Sequence, residues 1–154
     1  MIDSLTHIPT LASLAARPGQ HLATSPWVTV SQERINLFAE ATCDHQWIHV
    51  DSERAAAGPF GTTIAHGYLT LSLLPELFAA ALKIDDVAMG INYGLNKVRF
   101  INPVPSGSRL RAQIGLKAYE PIAGGAQLTM SVTIEREGSD KPACVAETVS
   151  RCFT

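Results

Sequence analysis

Between positions 44 and 49 the chain reads Asp44-His45-Gln46-Trp47-Ile48-His49, with Cys43 before it and Val50-Asp51 after it. No other stretch sets so much proton-transfer chemistry beside so much apolar surface. A carboxylate and an imidazole that grip one water can take a proton from it and return one, which is general acid–base work. Asp44 and His49 are therefore the candidate catalytic pair. Gln46 adds an amide donor, and Trp47 an aromatic wall that would shape a pocket. Further on, Ile64-Ala65-His66-Gly67 opens the most hydrophobic run of the chain. If a helix begins there, its first N–H groups have no partner inside it, and a glycine leaves room for an oxygen to approach. The Gly67 N–H is thus a candidate oxyanion donor, with His66 orienting the loop.

The same residues admit a metal-site reading, because His45 and His49 are four apart and Asp44, Asp51 and His66 lie near them. Two histidines at that spacing meet only on a helix, and Gln46-Trp47-Ile48 reads as an extended loop, so no metal is expected. Cys43 reads as a small packed residue, since no spacing marks a Cys–His nucleophile. Taken alone, Asp44 would be a turn residue and His49 a packed histidine. Their combination with His66-Gly67 and a buried helix turns the reading towards a site. Lys97, Arg99, Arg109 and Arg111 are a weak signal for phosphate contact.

Elements that would hold these residues still can be read from periodicity. A lead-in occupies residues 1 to 24, in which Thr10 caps a short helix ending at Ala16. Trp27-Val28-Thr29-Val30 is β-prone. Ser31 caps a helix over about 32 to 42, with Ile35, Phe38, Ala39 and Thr42 at helical spacing. That helix delivers the chain to Asp44. Ser52 caps a second short helix through Ala57. A long helix over about 67 to 82 is apolar nearly all round, so burial on most sides is expected, with a kink or a lost hydrogen bond at Pro75. Residues 89 to 101, 108 to 119, 125 to 137 and 143 to 153 read as strands joined by turns of hairpin length. Helices followed by a run of strands predict an α+β fold, one antiparallel sheet curled around the long helix.

Composition bounds the rest. The chain has 154 residues, enough for one domain with a real core, with 46% hydrophobic and 17% charged residues. The charged share is below the usual quarter or so, which fits a well-buried core and apolar surface covered by a second copy. A net charge of −2 and the lack of a basic run exclude a general nucleic-acid binder. Cys43, Cys144 and Cys152 fit neither a disulfide framework nor a zinc ribbon, which points to a reducing cytoplasm. No secretory signal is read at residues 1 to 4, and no segment is long enough to span a membrane.

The residues now on the page resemble the MaoC-like dehydratases, the R-specific enoyl-CoA hydratases of hotdog fold. That family's site motif runs Asp, any residue, Asn, Pro, aliphatic, His, then five residues and a small one. Here it is Asp44, His45, Gln46, Trp47, Ile48, His49, with Ala55 in the small position. Ile64-Ala65-His66-Gly67-Tyr68-Leu69 resembles the start of the family's central helix. Ile91 to Phe100, Pro103-Val104-Pro105 and Gly107 resemble its next strand and turn. Gln46-Trp47 in place of Asn-Pro is similar to the nodulation-protein-N-like branch. The resemblance spans about 25 to 153 and implies one hotdog domain over 1–154. It also implies syn hydration of an enoyl thioester by Asp44 and His49 and a backbone oxyanion hole at Gly67. No separate cofactor is implied, since coenzyme A or an acyl carrier comes as part of the substrate. A homodimer or higher homo-oligomer is implied, with the acyl tunnel at its interface. Thioester hydrolysis on the same fold and non-catalytic thioester binding are the alternatives.

Overall fold

The computed structural model describes residues 5–154, so the reading of residues 1 to 4 lies outside the described residues. The chain opens with β1 (Thr6–Ile8), a 3-10 helix (Leu11–Ala16), β2 (His21–Thr24) and β3 (Val28–Thr29). Thr10 accepts the N–H of Ser13 at the head of the 3-10 helix, as its position predicts. Ser31 Oγ accepts the N–H of Arg34 at 3.2 Å and starts α1 (Gln32–Thr42). Such a cap contributes about 1 kcal/mol. Ile35 and Ala39 are fully buried and anchor α1 to the core. The helix closes on Cys43, whose φ of 58° is left-handed. Cys43 is exposed there, not packed as expected, because a left-handed helix-closing residue turns the chain outward at the surface.

Two short helices follow, α2 (Trp47–Val50) and α3 (Ser52–Ala56). The stretch expected to be an extended loop is therefore a helical turn. Asp51, not Ser52, caps α3, its carboxylate accepting the N–H of Arg54 at 2.9 Å. Both residues are capping types, and a carboxylate gains more from the positive end of a helix than a hydroxyl does. The long helix is also divided, into α4 (Gly67–Ser72) and α5 (Leu74–Ala81), with a break at Leu73. Pro75 lies in the first turn of α5, where its missing N–H is not needed, so it starts a helix at the break. Leu69, Leu73, Leu74, Leu77 and Ala81 face the core, while Tyr68, Ser72, Pro75, Glu76 and Ala79 are exposed. One side of the helix pair is thus left open by the single chain.

The remaining strands are β4 (Leu82–Ile84), β5 (Met89–Phe100), β6 (Arg109–Ile122), β7 (Gly125–Arg136) and β8 (Cys144–Phe153). The main sheet runs β2-β6-β7-β8-β5, with β3 also on β6, and all its pairings are antiparallel. β6–β7 and β7–β8 are the neighbours their short turns predict. β5 does not pair with β6, because the segment from 101 to 108 leads away to meet residues 63 to 65. Register shifts at Asn92/Gly94 and Leu95/Lys97 in β5, and at Leu116/Ala118 in β6, bend the strands around α4 and α5. Leu77, Leu110, Ile114, Leu116, Leu128 and Ile134 fill the space between helix and sheet. Each such burial contributes about 2 kcal/mol against exposure.

From residue 6 onward the lead-in is part of both sheets. β1 pairs in parallel with β4, β2 pairs with β6, and Leu11 and Leu14 join the core. The fold is the predicted α+β arrangement of one sheet wrapped around a central helix, with that helix broken once. Among the described residues, no helix is long and apolar enough to cross a membrane.

Candidate active site

α1 ends beside α4, and the turn between α1 and α2 lays Asp44 against the residues that precede α4. His49 is 6% exposed and His66 is 3% exposed. Their rings stack with centroids 3.8 Å apart and planes inclined by 24°, and Phe38 of α1 flanks His66 at 4.9 Å. The His49 Nδ1 lies 2.7 Å from the main-chain oxygen of Ile64. A carbonyl only accepts, so Nδ1 carries the hydrogen, and in the neutral ring Nε2 has a bare lone pair. By the same argument His66 Nε2 donates to the main-chain oxygen of Asp44 at 3.0 Å. His66 therefore touches both members of the candidate pair, holding Asp44 by its backbone and His49 by its ring face. The other nitrogen of His66, Nδ1, is buried without a partner.

Side-chain donor atoms of Asp44, His49 and His66 all lie within 4.8 Å of one another. One water making bonds of about 2.8 Å spans that gap between an imidazole nitrogen and a carboxylate. To take a ligand from the Asp44-facing nitrogen of His66, a metal ion would have to displace its hydrogen bond to the Asp44 carbonyl. His45, the other sequence candidate for a ligand, is exposed and pairs with Glu40 at 2.7 Å.

Burial pushes the His49 pKa below the ordinary histidine value, and the neighbouring His66 adds to the shift. The hydrogen bond to Ile64 and the charge of Asp44 oppose it without reversing it. His49 therefore keeps its lone pair to lower pH than a free histidine would. Asp44 is the open member of the pair, with its side chain 52% exposed and a long 3.4 Å contact from the Gln46 N–H.

The other sequence candidates are placed less centrally. Gln46 precedes α2, is exposed, and makes no side-chain cap; its main-chain oxygen accepts the His49 N–H. The Trp47 ring packs under the Arg54 guanidinium at 4.3 Å and against Gly58, so it braces α2 on α3. Gly67 stands at the start of α4, where its N–H has no partner within the helix. A Cβ at Gly67 would sit 2.8 Å from Cδ2 of Phe100, so a larger residue there would have to push the Phe100 ring of β5 aside. Arg109 and Arg111 pair with Glu137 and Glu135 and lie over the Trp27 ring. A cavity of about 490 Å³ lies between α4–α5 and β5–β8, walled by Leu71, Leu74, Phe78, Tyr93, Leu95 and Val149.

Residue types and spacing did not reveal how His49 is held. The Gln32 side chain bonds the His49 carbonyl, and Thr63 bonds Gln32. These partners are 17 and 31 residues apart in sequence, and no local pattern marks them.

An antiparallel sheet wound around a central helix is the hotdog arrangement. A family model described as "MaoC like domain" matches residues 13–137, and the chain belongs to that family. It is similar to "3-hydroxyacyl-thioester dehydratase Z" of Mycobacterium tuberculosis, 59% identical over 143 residues, covering 92% of this chain and 95% of the relative. It is also similar to "Nodulation protein N" of Rhizobium leguminosarum bv. viciae, 48% identical over 148 residues, covering 94% and 91%. Among solved structures, an unliganded R-hydratase from Pseudomonas aeruginosa superposes with a TM-score of 0.75 at 22% identity, over 94% of this chain and 85% of that one. The hotdog fold is thereby shared at low identity.

Proposed function

We propose that this protein is an R-specific enoyl-CoA hydratase or 3-hydroxyacyl-CoA dehydratase, adding water to a trans-2-enoyl thioester and removing it in reverse. The observation that carries the reading is a His49 ring whose Nδ1 is spent on the Ile64 carbonyl, clustered with Asp44 and His66 within 4.8 Å, in a MaoC-like chain. The water oxygen bonds C3, its proton passes to His49 Nε2, and the double-bond electrons move onto the thioester oxygen. A proton then reaches C2 from the Asp44–His49 pair on the same face, so addition is syn and the atoms of one water are consumed. The Gly67 N–H receives the charge on the thioester oxygen. α4 has only six residues, so this local N–H rather than a long helix dipole does the stabilising. His66 holds the pair together, and Gln46 and Trp47 form the rim.

The substrate class rests on the Mycobacterium tuberculosis relative, whose name specifies a 3-hydroxyacyl thioester. The acyl group runs along α4 from Gly67 into the cavity beside Phe78. With about 1.5 Å of rise per residue, Leu71 lies about 6 Å along α4 from Gly67. Coenzyme A or an acyl carrier enters as part of the substrate, and no separate cofactor takes part. A second copy of the chain covers β5, an edge strand whose Met89, Ile91, Tyr93 and Leu95 are 45–57% exposed, making a homodimer or higher homo-oligomer. Cys43, Cys144 and Cys152 are free thiols, which is compatible with a reducing cytoplasm. Residues 1–154 are read as one domain.

The test is direct. The protein should bleach the enoyl absorbance of crotonyl-CoA and yield the (R)-3-hydroxy product. Release of free coenzyme A would mean hydrolysis, and binding without bleaching would mean a carrier; either overturns the reading. In sedimentation, Ile91→Asp combined with Leu95→Asp should leave monomers with activity reduced about tenfold or more. A monomeric wild type at micromolar concentration would remove the second copy from the proposal.

A further inference from the structure

We propose that Gln32, acting with Thr63, is a positioning residue that clamps His49 in the orientation its chemistry requires. The inference rests on the hydration reading above, but its geometry is independent of substrate. α2 is a single turn, and a helix that short has no stability of its own. Its last carbonyls have no partners within it, and one of them belongs to His49. Gln32 Nε2 donates to that carbonyl at 2.8 Å and to Asn36 Oδ1 at 2.9 Å. Both amide hydrogens are thereby used, and the His49 carbonyl fixes which way the amide faces, because a carbonyl only accepts. The amide oxygen accepts the Thr63 hydroxyl.

Thr63 immediately precedes Ile64, whose carbonyl receives the His49 ring hydrogen and whose N–H donates to the Ile48 carbonyl at 3.0 Å. The chain of bonds therefore closes on itself: His49 carbonyl, Gln32 amide, Thr63 hydroxyl, Ile64 carbonyl, His49 ring. Thr63 is 3% exposed, and residues 63 and 65 are tied in turn to Ser106 and Val104 of the turn before β6. The buried stripe of α1 supplies the fixed end of the clamp. One amide thus holds the backbone of His49 directly and, through Thr63, the carbonyl that keeps the hydrogen on Nδ1. Loosening it frees the ring to exchange tautomers and lose the lone pair that faces Asp44.

The experiment compares Gln32→Leu, Gln32→Glu, Thr63→Val and Thr63→Ser. Gln32→Leu and Thr63→Val should lower kcat about tenfold or more with KM within about twofold, since misplaced groups lose rate more than affinity. Gln32→Glu, which keeps the acceptor but sets an oxygen against the His49 carbonyl, should fall with them. Thr63→Ser retains the hydroxyl and should keep near wild-type turnover. Nitrogen NMR of the His49 ring should show the Nδ1–H tautomer in the wild type and a mixture in Gln32→Leu. Wild-type kcat in Gln32→Leu, a loss carried in KM, or no recovery in Thr63→Ser would overturn the proposal. If Gln32→Leu does not fold, the Thr63 pair decides. If the wild type does not hydrate enoyl thioesters, the function reading fails by itself, and the tautomer measurement still decides the clamp.

Discussion

The two halves of the candidate site are built differently. His49 is buried, its ring nitrogen, backbone N–H and carbonyl are all bonded, and a second imidazole is stacked on its face. Asp44 is half exposed, reached by one long contact from its own turn, bonded at its main-chain oxygen by His66, and its carboxylate lies 3.9 Å from the same His66 nitrogen. The single chain therefore encloses the His49 side and leaves the carboxylate side open. A site finished on one side only is what a protein needs when the other side must admit a long thioester and, in the reading above, be closed by a second copy.

That contrast can be broken most strongly by removing either half. His49→Ala and Asp44→Asn should each lower enoyl-CoA hydration by about 100-fold or more. Their stabilities should differ. His49→Ala leaves the buried Ile64 carbonyl unpaired and should cost about 1–3 kcal/mol in urea unfolding. Asp44→Asn should leave the midpoint nearly unchanged, because its side chain is 52% exposed. Equal destabilisation by the two would erase the distinction, and near-normal rates in both would remove the mechanism.

Acid sharpens the same contrast. Burial, then His66, holds His49 below its ordinary value of 6.5. Between that value and the lower folded one, the unfolded chain binds a proton that the folded chain does not. Stability should therefore be unaffected by this group above the window and fall as pH drops through it. The acid limb of kcat/KM should likewise lie below 6.5; a limb at or above it would mean that His49 is not the buried base. The smallest effect belongs where the open half begins. Cys43 holds a φ of 58°, and Cys43→Gly should relieve about 1 kcal/mol, read as a raised midpoint in urea. A lowered midpoint would mean that the cysteine side chain contributes something its exposure does not reveal.

Much of this was legible in the chain. Ser31 and Thr10 start helices where a capping side chain must, because the bond they make is three residues long and local. The four long strands follow from alternation, which any one-sided sheet imposes. The break at Leu73 was less legible, since Pro75 is compatible both with a kinked helix and with the first turn of a new one. The packing of Trp47 was not legible either: its position in the motif sets it between Asp44 and His49, and the structure shows its ring against Gly58 and under Arg54.

The order of residues by itself determined the α+β sequence of elements, most of their starts, and that Asp44 and His49 would lie close together. These depend on neighbours within a few positions, where backbone geometry fixes what can meet. Only the tertiary structure decided which nitrogen of His49 is bare, what crowds position 67, and that Gln32 reaches the turn that carries His49. Those outcomes depend on carbonyls and rings brought in from distant segments by burial of the core, and burial is indifferent to sequence distance.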